Sequence, residues 1–295
     1  MILLTGATGS VGSALLRRLT TARVPVRCLV RDPKRLGAER VRVQIALGDL
    51  ADPPSFRNAL RGVKAVVHLA GSLRDQPAGS IEELNGIATW RLVEAAERAG
   101  VEHFVFTSAL GASAHSRSRF LRAKALAEQA VVESGLRHTI VAPSITYAPG
   151  DHLTTVLGRL AWLPVVPLSG RGRAQFQPIW ADDVADCLQA ALDRPVDPEQ
   201  PNLRVELAGP DVHTYEDLAR AVVAASGRPR RLLPVPTALT SRGLRVAEAL
   251  MKSAAPVTWD EAELLEVSMT TRHGTADAEA LGVMPKRLAA VLGTV

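Results

Sequence analysis

The sequence predicts an α/β fold: a doubly wound parallel sheet with a smaller C-terminal lobe on its substrate side. Three observations carry the prediction. From the start to about residue 145, short β-branched apolar runs alternate with longer helical stretches, and repeated units of this kind build a parallel sheet with helices over both faces. A tight glycine cluster, GATGSVG (6–12), falls between the first apolar run and the first helical stretch. Past residue 145 the pattern loosens into segments rich in proline and glycine, such as WLPVVPLSGRGRAQFQP, set between single helices.

The strand candidates in order are ILLT (2–5), VPVRCLV (24–30), VRVQIAL (41–47), KAVVHLA (64–70), HFVFTS (103–108) and HTIVA (138–142). Between them lie the helical patterns VGSALLRRLTT, PPSFRNALRG, IEELNGIATWRLVEAAERAG and RAKALAEQAVVESG. Crossovers between parallel strands are right-handed, which makes the sheet doubly wound. Later come a helix (ADDVADCLQAALD), a strand (LRVELAG), a helix (TYEDLARAVVAAS) and a further series from 237 to 292. Residues 1–150 are expected to form a Rossmann-like domain. Residues 151–295 are expected to pack on it as a lobe over the ligand crevice rather than as an independent domain.

Composition narrows the functional classes. A chain of 295 residues, 47% hydrophobic and 22% charged, can bury a full core. It has no run of about 18 uninterrupted apolar residues, so no membrane span is expected. MILLTGATG enters a strand and a glycine loop directly, with no basic leader, and predicts a cytoplasmic protein. Cys28 and Cys187 sit in apolar patterns and read as buried thiols, with no metal site expected. The net charge of +5 comes from scattered arginines, and with 4% aromatic residues there is little surface to stack bases, which argues against direct nucleic-acid binding. Some of these arginines fit a phosphorylated ligand instead.

GATGSVG has the strand before it and the helix after it that a pyrophosphate site needs. Glycines allow the close approach, and the N–H groups and dipole of the helix meet the charge. The spacing is GxxGxxG. The second strand ends in LVRDP, putting Arg31 where a fold selective for NAD places an acidic residue on the ribose. An arginine there can grip a 2′-phosphate, with Lys34 and Arg35 nearby, so the expected cofactor is NADP(H). GDL (48–50) offers Asp49 to an adenine amino group, and HLAG (68–71) ends the fourth strand in a turn of small residues beside the cofactor.

These residues, with Asn85, TSALGA and the helix bearing Lys124, resemble the short-chain dehydrogenase/reductase superfamily. The likeness is to its atypical group, which includes NmrA-like proteins and the accessory NADPH-binding subunit of respiratory complex I. It runs through the whole chain, to QPIWADDVADCLQAAL and TYEDLARAVVAASGRPRRLLPVP. The resemblance implies a cofactor-binding set of Gly6, Thr8, Gly9, Ser10, Val11, Gly12, Arg31, Asp49, Leu50, Leu69, Ala70, Gly71, Lys124 and Pro143. In active superfamily members a Tyr and a Lys in YxxxK work with a Ser, the Tyr as acid or base and the Lys on the nicotinamide ribose. Ser108 and Lys124 match those positions, but the Tyr position is Phe120.

A replacement acid can come from Ser108, Tyr147, His115, His152 or water. Tyr215 reads as a packing residue, and Glu128 and Glu133 as solvated helix charge. Two functions stay open: a reductase of a quinone-like or small carbonyl acceptor, and a non-catalytic NADP(H)-binding sensor or subunit of a larger assembly. A sugar-nucleotide epimerase suffers most from the missing phenol. A small-molecule ligand is expected, along with a possible protein partner or homodimer. Ser169 to Gln177 (SGRGRAQFQ) suits a loop that closes over a ligand.

Overall fold

A computed structural model describes residues 1–228, 230–236, 240, 244 and 257–293. Seven parallel strands form the central sheet. They are β1 (Ile2–Thr5), β2 (Val26–Val30), β3 (Gln44–Leu47), β4 (Ala65–His68), β5 (His103–Thr107), β6 (Arg137–Pro143) and β11 (Leu203–Leu207), in the order β11-β6-β5-β4-β1-β2-β3. Four short or peripheral strands fall between β6 and β11: β7 (Thr146–Tyr147), β8 (Val165–Ser169), β9 (Gln175–Phe176) and β10 (Ile179–Trp180). Two follow, β12 (His213–Thr214) and β13 (Arg231–Val235).

Adjacent residues of one strand serve opposite cores, which explains the continuous apolar runs. Leu4, Val67, Val105 and Val141 pack under α1 (Ser10–Thr21) and α6 (Ala181–Asp193). Their neighbours Leu3, Val66, Phe104 and Ile140 pack under α3 (Ala88–Arg98) and α4 (Arg119–Glu133). The short α2 (Pro53–Phe56) adds Phe56 to this second core. A third core lies in the lobe, where Leu157 of α5 (His152–Leu160) and Leu218 of α7 (Tyr215–Ala225) surround Val166, Leu168 and Phe176.

The expected doubly wound fold is present, with differences in detail. The third strand starts at Gln44 rather than at residue 41, because Pro33–Val41 coils as a 3-10 helix with Gly37 at φ 59°. The helix expected over IEELNGIATWRLVEAAERAG opens with a π turn at Glu83–Ile87. The strand read in LRVELAG pairs in parallel with β6, from Leu203 opposite Thr139 to Leu207 opposite Pro143. The sheet therefore draws on chain from both sides of residue 150.

Candidate functional site

Two hollows open at the C-terminal ends of the strands and share Leu69 and Gly71. The smaller, about 500 Å³, is lined by Gly6, Thr8 and Gly9 of the glycine loop, Arg31 and Arg35 after β2, Asp49 and Leu50 after β3, and Leu69, Ala70 and Gly71 after β4. The larger, about 740 Å³, takes Ser10, Ser108, Phe120, Lys124 and Pro143 from the sheet side and Leu157, Leu160, Phe176, Leu264 and Met269 from the lobe. The sequence-selected residues thus gather along one groove. Val11 and Gly12 line neither hollow: Val11 packs on the core, and Gly12 lies against Gly6.

The groove fits an extended dinucleotide. Gly6 holds φ 70°, and a Cβ there would stand 2.6 Å from the Leu69 carbonyl carbon and the Ala70 nitrogen. A Cβ on Gly12 would stand 2.1 Å from the Gly6 oxygen. These two glycines seat the loop against both α1 and the end of β4. At Gly9 the nearest atom is 3.5 Å away, so that face is open. Gly9 is also the N-cap of α1, and no side chain caps the helix there, leaving its first N–H groups to an anion. Arg35, rather than Lys34, lines the hollow with Arg31. Asp49 has one carboxylate oxygen on the Ala51 amide.

The floor between the hollows is held by a polar network that the sequence did not disclose. The Ala70 amide donates to the Thr5 hydroxyl, which donates to Nδ1 of His68 at 2.7 Å. Thr89 donates its proton to the Asn85 carbonyl oxygen at 2.6 Å, so it accepts from Nε2 of His68. Burial and the charge of Lys124 push the His68 pKa down to about 3, which keeps the ring neutral. Asn85 grips the next turn, donating to the carbonyl oxygens of Ser72 and Ile81 and accepting from the Ser72 amide.

On the larger hollow, Lys124 donates from Nζ to the Thr107 carbonyl oxygen at 2.7 Å, with the Phe106 and Phe120 ring centroids 4.8 Å and 5.7 Å away. Burial lowers its pKa to about 8. The hydroxyl of Ser108 is buried without a hydrogen-bond partner, as is that of Thr107. Both residues line the hollow, so these orphaned groups are disposed toward a ligand. Lys124→Met is expected to stabilise the ligand-free protein at neutral pH. Between pH 8 and the ordinary lysine value of 10.5 the unfolded chain binds the proton that the folded chain has released, so stability rises with pH across this window. Below it the buried charge costs roughly 3 kcal/mol. Calorimetry from pH 7 to 10 should show the wild type gaining on the variant, and parallel profiles would refute the assignment.

The candidate replacement acids separate. Tyr147 is 1% exposed and lines neither hollow, and burial and Asp183 raise its pKa. His115 lies outside both hollows. His152 lines the larger one, with Nε2 2.9 Å from Arg74, and Arg74 forms a two-pronged pair with Glu261. Arg74 and Glu261 were missed because they are 187 residues apart. Tyr215 packs in the lobe core, as its pattern suggested, and also touches the hollow. Glu128 accepts from Arg204 and Glu133 from Gln129. The Ser169 to Gln177 segment is tied to Val235 through Gly170, to Glu216 through Gly172 and to Met269 through Gln175.

Residues 6–195 match the model of a family described as NAD(P)H-binding. The chain belongs to that family. Among relatives of the NAD(P)H-binding chain is the NAD(P)H azoreductase of Xenophilus azovorans, 32% identical over 236 residues that cover 80% of this chain and 77% of the relative. Another is the mitochondrial NADH dehydrogenase (ubiquinone) 1 alpha subcomplex subunit 9 of Arabidopsis thaliana. It is 32% identical over 229 residues, 72% of this chain but 55% of that subunit. A solved nucleoside-diphosphate-sugar epimerase from Staphylococcus aureus superposes with a TM-score of 0.78 over 99% of both chains at 20% identity, a likeness of fold alone. The resemblance to the atypical short-chain dehydrogenase/reductases therefore holds. Among the described residues, no helix is long and apolar enough to cross a membrane, and no cluster of His, Cys, Asp or Glu suits a metal ion.

Proposed function

We propose that this NAD(P)H-binding chain is a cytoplasmic, NADP(H)-dependent reductase of an uncharged, quinone-like acceptor. The observation that carries the reading is Phe120: the wall of an apolar cavity holds an aryl ring where proton transfer to a ketone needs a phenol. When bound, NADPH supplies a hydride. Lys124 holds the nicotinamide ribose from its anchor on Thr107, and Ser108 donates to the acceptor oxygen. An acceptor that leaves as a stabilised hydroquinone anion takes its proton from water, so the missing phenol matters little. Arg31 and Arg35 hold a 2′-phosphate, and Asp49 holds the adenine.

The same Phe120 supports a second reading, a cofactor-holding module of a larger assembly, in keeping with the complex I subunit among the relatives. One experiment separates the two. NADPH oxidation is followed with a panel of quinones and ketones, for wild type and Arg31→Ala. The reductase reading expects quinone turnover, slow ketones, and a preference for NADPH over NADH of at least tenfold that Arg31→Ala removes. Tight NADPH binding without any turnover would select the module. Equal affinity for both cofactors in the wild type would overturn the NADP(H) assignment.

A further inference from the structure

We infer that the face carrying Trp162 docks on an anionic lipid bilayer. Large apolar side chains are exposed there as a group. Trp162 and Leu163, in the turn after α5, are 71% and 44% exposed. On β8 the side chains alternate, with Val166 and Leu168 fully buried and Val165 and Pro167 turned outward. Strand β13 runs parallel beside β8 with Arg231 opposite Val165 and Leu233 opposite Pro167, and Leu233 is 56% exposed. Neighbours in register on parallel strands face the same side. Val165, Pro167 and Leu233 thus share the outward face of two adjoining strands, and exposed Trp162 and Leu163 stand in the turn that leads directly into β8. Contiguous exposed apolar groups of this kind mark contact sites.

The charge around them selects the partner. The guanidinium carbon of Arg228 lies 3.2 Å from the centroid of the Trp162 ring. Arg230 donates to the Ala161 carbonyl oxygen beside it, and Arg231 flanks Val165. Among the described residues none of these three arginines pairs with a carboxylate. A tryptophan at headgroup depth, aliphatic side chains below it and arginines at the phosphates is the arrangement an anionic bilayer surface accommodates. The patch is set against the larger hollow: Leu157 and Leu160 of α5 and Pro167 of β8 line that hollow. An apolar acceptor dissolved in the bilayer would then lie next to the elements that enclose the site. Docking itself does not require turnover and stands apart from the proposed reaction.

The test is co-sedimentation of the full chain with phosphatidylcholine vesicles, with and without about one third phosphatidylglycerol. The expected result is at least tenfold stronger partitioning onto the anionic vesicles, with about fivefold lost for each of Arg228→Gln and Arg231→Gln. Trp162→Asp with Leu163→Asp should abolish it while NADPH binding, read by its fluorescence, is retained. Equal sedimentation with neutral vesicles, or full binding by the double variant, would overturn the proposal. So would a wild-type dimer that the double variant converts to a monomer, since the patch would then be a protein interface.

Discussion

Phe120→Tyr is expected to raise the reduction of simple ketones by about 10² to 10⁴-fold while leaving NADPH affinity unchanged. The ring of residue 120 lines the larger hollow with the buried hydroxyl of Ser108, and its centroid is 5.7 Å from Nζ of Lys124. A hydroxyl added to that ring meets an ammonium that stabilises its ionised form and lowers its pKa. Lys124 stays bound to the Thr107 carbonyl oxygen, so the ribose contact proposed for it would not be disturbed. The measurement is steady-state NADPH oxidation with a ketone, wild type beside variant. A wild type that already reduces ketones at the usual enzymatic rates of about 1 to 10³ per second would end this account. His152 would then be the group to mutate, since it lines the same hollow.

Gly12→Val is expected to weaken NADPH by more than about 100-fold, a loss of nearly 3 kcal/mol. The Cβ of any residue at 12 falls 2.1 Å from the Gly6 oxygen, 2.8 Å from its carbonyl carbon and 2.9 Å from Cα of Ala7. All three are backbone atoms, which cannot rotate aside, so the loop must lift from α1. Overpacking of this kind costs about 1 to 3 kcal/mol of stability as well. Gly9→Ala is the contrasting case. Its Cβ meets nothing nearer than 3.5 Å, so the protein should melt as the wild type does and lose affinity alone. Titration and thermal melts on both variants decide the matter. Tight binding by Gly12→Val would mean the loop does not hold a pyrophosphate.

How much the sequence disclosed depended on how local the cause was. Leu3 beside Leu4 and Val66 beside Val67 announce strands buried on both faces, because the requirement acts on neighbouring residues. GATGSVG and Arg31 announce their hollow because strand, turn and helix are contiguous. β3 was misjudged at its start because it is an edge strand: Gln44, Ile45 and Leu47 are exposed, so no burial pattern marks where coiling ends. Joining β11 to β6 depends on a pairing across more than sixty residues, with no local signature. Asn85 was visible only as part of a likeness. Its work on Ser72, and that of His68 between Thr5 and Thr89, exists only once the chain has folded. Tyr147 looked available because it follows β6, yet the β7–β10 pairing carries it into the core.

The hydrogen bonds through His68 all point one way, from the Ala70 amide through Thr5, the imidazole and Thr89 to the Asn85 carbonyl. Each hydroxyl has one proton to give and has given it, so the chain has a single polarity and no second arrangement of equal energy. A proton added at Nδ1 would confront the Thr5 hydroxyl with two donors and strand its own hydrogen. The floor of the crevice therefore acts as a one-way ratchet in its bonding. It keeps its shape through the neutral range, while Lys124 alongside it changes charge near pH 8.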